Sequence, residues 1–220
     1  MNRESCLGVA FLKRHYSVLL SVIVLVAIVS STTVFAQVSV GVHEGDWIEY
    51  GVSYTSAPPD NFPNWVRIDV TNIQGTSITA TLTVERLNGT SDTNSGTFDL
   101  QMGVPDLLLI PAGLGVGDEF YHEAFGNITI DGSEEDLYVG AKRSVVYAPI
   151  EQTSLHWDQA TGILLQSNQY TDTFTQIFLV DNTNMWQPQI LGLDSTIFYG
   201  LIVSIVAVIV IIVVYLLRRR

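Results

Sequence analysis

The chain has 220 residues, of which 22 are acidic and 10 are basic, and its formal net charge is −12. Residues 37–194 hold four basic and 21 acidic residues, a net charge of −17, and so acidic a segment repels the phosphate backbone of nucleic acids. The single cysteine, Cys6, leaves this segment without a disulfide, so its fold depends on the packing of its own core.

An apolar run near the N-terminus is typical of a secretory signal peptide. Residues 17–30 are almost wholly apolar, Lys13 and Arg14 precede them, and a small residue, Ala36, provides a cleavage position. This order of charge, apolar run and small residue predicts a signal peptide over residues 1–36. Because the charged part is long, an uncleaved membrane anchor is the alternative.

Residues 37–190 show the alternation of half-buried β-strands. Ile78, Ala80, Leu82 and Val84 alternate with polar residues, which places them on one face of a strand. Turn-forming residues interrupt the chain at regular intervals. The predicted strands cover residues 47–54, 65–70, 78–86, 97–101, 118–124, 127–130, 136–147, 152–157, 162–169 and 173–180. We therefore expect an all-β domain, built as a single curved antiparallel sheet or half-barrel of about ten strands.

One apolar segment interrupts this pattern. Residues 107–110 are all apolar and stand between Pro105 and Pro111. The segment could form a short strand with a loop or a brief helix. In either form so apolar a connection must be buried, and we expect it to cover one face of the sheet.

The stretch LHWDQATGILLQ, residues 155–166, admits two interpretations. His156 and Asp158 lie two apart on a predicted strand and could form a catalytic pair, but no nucleophile motif accompanies them. As a hairpin, Asp158 would accept backbone hydrogen bonds in the turn and Gly162 would take a positive φ. The pattern favours the hairpin, so we expect no enzyme activity and no cofactor.

The C-terminus predicts a membrane anchor. Residues 197–217 contain no charge and are long enough, as a helix, to span a bilayer core of about 30 Å. Residues 191–196 form the predicted linker, and the basic tail 218–220 is expected in the cytoplasm. The chain is therefore predicted to be a single-pass protein of the cell membrane with its β domain outside.

Several of these motifs together resemble a group of uncharacterised archaeal proteins that are secreted or anchored in the membrane. The motifs are GDW at residues 45–47, IPAGL at 110–114 followed by GD at 117–118, RSVVYA at 143–148 and WDQATGILL at 157–165. The resemblance implies an extracytoplasmic β-rich domain and no particular activity. The hairpin at 157–165 is also similar to one in lipoprotein-carrier-like domains, which are half-barrels that hold an acyl chain.

The sequence predicts a binding function for the β domain. The leading hypothesis is an envelope module that holds a lipid or another apolar ligand. The aromatic and apolar residues expected to line its pocket are Trp47, Tyr50, Trp65, Leu107, Leu109 and Trp157. The alternatives are an adhesive ectodomain without a pocket, which would contact a surface-layer protein or a glycan, and an extracellular hydrolase.

Two further predictions concern a calcium site and N-glycosylation. Asp131, Glu134 and Asp136 could offer oxygen ligands to calcium, although their spacing is not that of an EF-hand and a solvated acidic hairpin tip explains them as well. Asn88 and Asn127 begin N-glycosylation sequons. No other metal site is expected, because the histidines outside the apolar ends are far apart in the sequence.

Overall fold

The computed structural model describes residues 38–104, 106–190 and 192–219. The signal peptide predicted over residues 1–36 and the basic residue Arg220 lie outside the described residues. The strands and the helix, in chain order, are β1 Trp47–Tyr54, β2 Pro63–Gln74, β3 Ser77–Arg86, β4 Ser91–Asp99, β5 Glu119–His122, β6 Gly126–Thr129, β7 Gly132–Tyr138, β8 Ala141–Ile150, β9 Thr153–Asp158, β10 Leu164–Tyr170, β11 Thr175–Thr183, β12 Gln189–Ile190, β13 Leu193–Asp194 and α1 Ser195–Arg218.

Nine strands form one antiparallel sheet in the order β4-β3-β2-β1-β11-β10-β9-β8-β7. The predicted all-β class and the single large antiparallel sheet are thus confirmed. All but one of the neighbouring pairs are consecutive in the chain. The exception joins β1 to β11, so that the two ends of the β domain meet in the middle of the sheet. The two edges are β4 and β7.

The two faces of the sheet differ because side chains alternate along each strand. The inner face carries most of the buried apolar residues, which include Ile48, Ile68, Leu155 and Val146. The outer face carries polar residues and ion pairs, such as the pair of Arg67 with Glu49 at 2.7 Å. This alternation is the one that the sequence predicted, and it fixes the register of each strand.

The inner face is covered by residues 100–104 and 106–130. This connection leaves the end of β4, crosses the sheet and forms the small β5–β6 hairpin. Phe120 of β5 packs edge-to-face on Trp157 of β9, with ring centroids 5.7 Å apart. The expectation that the apolar segment around residues 107–110 covers one face is confirmed, because Leu109 and Ile110 are buried there.

Two strands differ from the sequence interpretation. The sequence predicts one strand over residues 136–147, whereas in the structure these residues belong to β7, a two-residue turn and β8. The acidic cluster from Glu134 to Asp136 is therefore an edge strand and not a hairpin tip. An edge strand accepts charges on both of its sides because solvent reaches it, and such charges discourage pairing with another chain. β4 was also predicted too short, since the strand predicted to begin at residue 97 begins at Ser91 and includes the turn-forming residues Asn94, Ser95 and Gly96.

The C-terminal helix follows the sheet without a long connection. Gln189 of β12 donates a backbone hydrogen bond of 2.7 Å to Gly140 in the β7–β8 turn. α1 then begins at Ser195, and its described residues have no buried member. It is long and apolar enough to cross a membrane. Residues 192–196, which the sequence assigned to a linker, belong to the β12–β13 hairpin and the start of the helix.

Candidate functional site

The cover segment, residues 106–113, is bound to the β9–β10 hairpin through its backbone. Ile110 donates its N–H to the carbonyl oxygen of Gly162 at 2.9 Å, and Leu164 donates its N–H to the carbonyl oxygen of Leu108 at 2.9 Å. A short run of antiparallel pairing thus continues from the hairpin into the cover segment. These bonds satisfy backbone groups that would otherwise be buried without partners.

Side chains add further connections to the cover segment. The indole Nε1 of Trp157 donates to the carbonyl oxygen of Leu107 at 2.8 Å. The side-chain amide of Gln159 donates to the carbonyl oxygen of Leu114, the residue that follows the cover segment, at 2.9 Å. Trp157 is fully buried, so its hydrogen bond forms in a region of low dielectric constant, where a lost partner is costly.

The turn between β9 and β10 is organised by Asp158. Its carboxylate is buried and accepts two hydrogen bonds from the Arg143 guanidinium, at 2.9 and 2.8 Å. It also accepts the backbone N–H and the hydroxyl of Thr161, at 3.0 and 2.6 Å. Gly162 has φ +76°, and a Cβ there would collide with the carbonyl oxygen of Ile110. The stretch at residues 155–166 is therefore a hairpin, as the sequence favoured, and it holds the cover segment in place.

A cavity of about 260 Å³ lies between the cover segment and the inner face of β2, β3 and β4, and we call it the main cavity. Its walls are mostly aliphatic. The residues that line it are Ile68, Val70, Ala80, Leu82, Asn94, Ser95, Gly96, Thr97, Phe98, Asp106, Leu108, Leu109 and Ile163. Asn94, Ser95 and Gly96 are themselves exposed, so the cavity meets solvent at the β4 edge.

A second cavity, of about 280 Å³, lies on the other side of the cover segment. Leu107 and Leu108 line it together with Phe178 of β11, Leu155 of β9 and Phe125 of the β5–β6 turn. Leu108 lines both cavities. The cover segment therefore separates two spaces over the same face of the sheet, of which the main cavity is the more apolar.

Asp106 is the acidic residue among those that line the main cavity. Its Oδ1 atom accepts the backbone N–H of Leu108 at 3.0 Å. Although the residue keeps much of its accessible surface, the atoms packed around its carboxyl group desolvate it and raise its pKa, against the lowering effects of the Leu108 hydrogen bond and of His122. The same carboxylate helps to raise the pKa of Tyr50, although burial of the phenol is the larger cause.

Four of the six predicted pocket residues belong to the inner side of the sheet. Leu109 lines the main cavity and Leu107 lines the second cavity. Tyr50 and Trp157 are fully buried in the core between the strands and the cover segment. The Tyr50 hydroxyl donates to the carbonyl oxygen of Leu164 at 2.8 Å. The packing of these two aromatic residues thus supports the cover segment, and neither residue is among those that line the main or the second cavity.

The other two predicted pocket residues lie on the outer face. Trp47 stands beside Asp69 of β2, and the guanidinium of Arg67 lies 4.4 Å from the centroid of its ring. Trp65 is opposite Gly51 of β1. Strand parity separates them from the cavities, because Ile48 and Val66, their neighbours in the chain, take the inner positions.

The outer face of β7 and β9 brings together a serine, a histidine and a glutamate. The Ser154 hydroxyl is 3.2 Å from Nε2 of His156, and Nδ1 of His156 is 3.4 Å from Oε1 of Glu134. The His156 ring also stacks on Tyr147. This order of groups resembles a hydrolase triad. However, none of the three lines either cavity, and the strand pairs the backbone of Ser154 on both sides.

Other predicted sites are located as follows. Asp131, Glu134 and Asp136 are exposed at β7 and just before it, and within the described residues no group of three or more acidic, histidine or cysteine side chains is arranged to hold a metal ion. Asn88 lies in the β3–β4 turn and Asn127 in β6, and both are exposed. The use of these two sequons stays a prediction.

Sequence reasoning missed Asp106 and the walls of β2–β4 as parts of a site. A lone acidic residue that follows Pro105 and precedes four apolar residues is a signal that could have found Asp106. The walls give no comparable signal, because Ala80 and Leu82 look like any core residues.

The fold and the site define a class of protein: an antiparallel β-sheet domain with an apolar cover segment, followed by one apolar helix long enough to span a membrane. Comparison with protein-family models gives no match, and comparison with curated proteins finds no significantly similar sequence.

Proposed function

We propose that this protein is a membrane-anchored extracytoplasmic binding module that holds an apolar ligand, such as a single lipid chain, in the main cavity. The observation that carries the proposal is the unfilled aliphatic space between the cover segment and strands β2–β4. A protein of this size normally packs its interior with few voids larger than a water molecule. A space of about 260 Å³ is instead close to the lower end of the range for small-molecule pockets, about 300–1,000 Å³.

Burial of apolar surface would supply the binding free energy. Each square ångström of apolar surface removed from water contributes about 25 cal/mol. Ile68, Val70 and Leu82 form one wall of the cavity and Leu109 forms the other, so a chain inserted between them would be covered on two sides. Filling the space would also restore the dispersion contacts that the lining side chains lack.

A curved sheet is part of the proposal. Neighbouring strands in a sheet are rotated by about 20–25° on average, and nine of them accumulate a large twist. The register also shifts between Glu49 and Tyr50 and between Val70 and Asn72, and such bulges bend strands. Curvature towards the cover segment would enclose the ligand as a half-barrel does.

The location is supported by the C-terminal helix and by charge. α1 would anchor the chain, and the arginines at residues 218–220 would remain on the cytoplasmic side. The acidic β domain would then face the outside, together with its two sequons. A signal peptide over residues 1–36 would give the same orientation.

The test is lipid extraction and mass spectrometry of the purified full-length chain. We expect a co-purified apolar molecule in the unchanged protein. Ala80→Phe places a ring into the main cavity and should remove that molecule. Thr81→Phe is the matched control, because it adds the same ring to the next residue of β3, on the outer face, and should retain it. A ligand-free unchanged protein, or equal retention by both variants, would contradict the proposal.

The adhesive alternative rests on a different surface. Trp47 and Arg67 form a partly exposed aromatic and charged group on the outer face, a combination that suits a glycan or a protein partner. A change on this group that abolishes attachment to a surface layer, while Ala80→Phe leaves it intact, would favour the adhesive function over the binding module.

A further inference from the structure

We infer that the main cavity selects an apolar molecule whose polar end donates a hydrogen bond, an amine or an alcohol, over one that ends in a carboxylate or a phosphate. The inference rests on the proposed function and adds the chemistry of the ligand's polar end. It depends on the position of Asp106 among otherwise uncharged lining residues.

The charges around the cavity favour a ligand whose polar end donates a hydrogen bond. Among the residues that line it, Asp106 is the charged one, and neither lysine nor arginine is present. Among these lining residues, the other polar side chain on the inner face of β4 is that of Asn94, whereas the hydroxyls of Ser95 and Thr97, residues that also border the cavity, face outward to Thr81 and Thr79. A ligand with an anionic end would find no lysine or arginine among the lining residues to balance its charge, and the surrounding domain is itself strongly acidic.

The carboxylate of Asp106 can accept further hydrogen bonds. One carboxylate oxygen accepts the N–H of Leu108, and in the described part of the chain no lysine or arginine forms an ion pair with the residue. An ionised carboxylate accepts about four hydrogen bonds through its two oxygens. The unused positions can receive the N–H or O–H of a ligand without displacing any protein group that the structure shows.

The environment of the carboxylate makes such a bond favourable. Its partial desolvation raises the pKa of Asp106, which means that the ionised form lacks some of the stabilisation that water would give. A cationic amine would restore that stabilisation through a charge-assisted hydrogen bond. A second carboxylate close by would do the opposite, because one of two adjacent carboxylates must become protonated.

The position of Asp106 indicates how a ligand would be oriented in the cavity. Asp106 begins the cover segment, whereas Leu109 and Ile163 line the space farther along it. A molecule with its polar end at Asp106 would place its apolar chain against Leu82 and Leu109. The small volume favours a single chain over a two-chain lipid.

The test compares three probes that share an eight-carbon chain: octylamine, 1-octanol and octanoate. The full-length chain is held in lipid nanodiscs at pH 7, and binding is measured by titration calorimetry with empty nanodiscs subtracted. We expect octylamine to bind more tightly than octanoate by about tenfold or more, the scale of a hydrogen bond to a charged group, with 1-octanol between them.

Variants assign the preference to Asp106. Asp106→Asn keeps the size of the side chain and should reduce the advantage of octylamine by about tenfold. Asp106→Lys should reverse the order and favour octanoate. Asp60→Asn, a change of an exposed acidic residue in the β1–β2 loop, is the control for net charge and should alter none of the three affinities.

The outcomes separate this inference from the proposed function. Octanoate that binds as tightly as octylamine, or a preference unchanged in Asp106→Asn, would overturn the inference and leave an apolar site in place. If no probe binds, or if Ala80→Phe binds all three as well as the unchanged chain does, both the inference and the proposed function are overturned.

Discussion

Arg143 of β8 and Asp158 of β9 form a two-point ion pair, with Nε 2.9 Å from Oδ1 and Nη2 2.8 Å from Oδ2. The Asp158 side chain is 1% exposed and the Arg143 side chain 20%. The guanidinium also lies over the ring of Trp186, 4.7 Å from its centroid. The pair thus fixes the start of the turn that holds the cover segment.

The first prediction concerns this ion pair. Asp158→Asn leaves the guanidinium without its charged partner, and loss of one partner of a buried pair costs about 3–5 kcal/mol. We expect the lower end of that range because Arg143 is partly exposed. The free energy of unfolding by urea would measure it. Lys142 and Glu135 form a neighbouring pair whose side chains are 62% and 63% exposed, so Glu135→Gln should cost less than about 1 kcal/mol. Equal costs for the two changes would contradict the prediction.

The second prediction concerns Gly162. Gly162→Ala forces a side chain into a left-handed conformation and against the carbonyl oxygen of Ile110. We expect a loss of more than about 2 kcal/mol, because the conformational cost of about 1–2 kcal/mol is increased by the collision. Gly75→Ala is the matched control, since Gly75 has φ +66° but open space around it, and should show the conformational cost alone. Thermal unfolding of both variants would compare them, and similar melting temperatures would refute the role assigned to Gly162.

The third prediction is a loss of stability at alkaline pH. Burial raises the pKa of Tyr50 well above its ordinary value of 10.0, and burial together with Asp136 and Glu134 raises that of Tyr138 to about 12. The unfolded chain would release these protons near pH 10, whereas the folded chain retains them. The stabilisation is therefore complete below pH 10 and is lost as the pH rises through 10 to 12.

Unfolding by urea between pH 8 and 11.5 would measure this slope. In Tyr50→Phe the slope should be smaller, and the stability at pH 8 should fall by about 1 kcal/mol through loss of the hydrogen bond to Leu164. Tyr170→Phe, at an exposed position of β10, should leave the slope unchanged. A slope that does not respond to Tyr50→Phe would show that other groups cause it.

The fourth prediction concerns the membrane. The full-length chain should enter the detergent-rich phase in a phase-separation experiment, and protease added to intact cells should cut the β domain. Val206→Arg at the middle of α1 should weaken membrane insertion by about 2.5–3.5 kcal/mol. Ile197→Arg near the helix start is the control and should have a smaller effect, because a charge near the interface can reach water. A chain that stays in the aqueous phase would remove the anchor from the proposal.

The fifth prediction concerns the group of Ser154, His156 and Glu134. We expect no covalent adduct when the intact chain is treated with a fluorophosphonate and weighed by mass spectrometry. The reason is that Ser154 lies on an open sheet face whose backbone N–H groups are engaged in strand pairing, so donors for an oxyanion are lacking. An adduct on Ser154 that disappears in His156→Gln would restore the hydrolase hypothesis.

The sequence by itself determined the class of fold, the alternation of buried and exposed positions along most strands, the hairpin at residues 155–166 and the apolar C-terminal helix. These features follow from the periodic spacing of apolar residues and from turn-forming residues, both of which act over only a few positions of the chain. The same dependence on local patterns explains why the predictions for β4 and β7 were wrong. Gly96 and the acidic run 134–136 are typical of turns, and only their position at the two sheet edges allows them to be strand.

Only the tertiary structure decided which groups meet. Tyr50 bonds to Leu164 across 114 positions of the chain, and Trp47 and Trp65 are placed on the outer face by their neighbours in the sheet. The main cavity exists because a segment from one part of the chain lies over strands from another and does not fill the space between them. No local pattern encodes a gap of that kind, since the residues that line it are the same aliphatic residues that would fill a closed core.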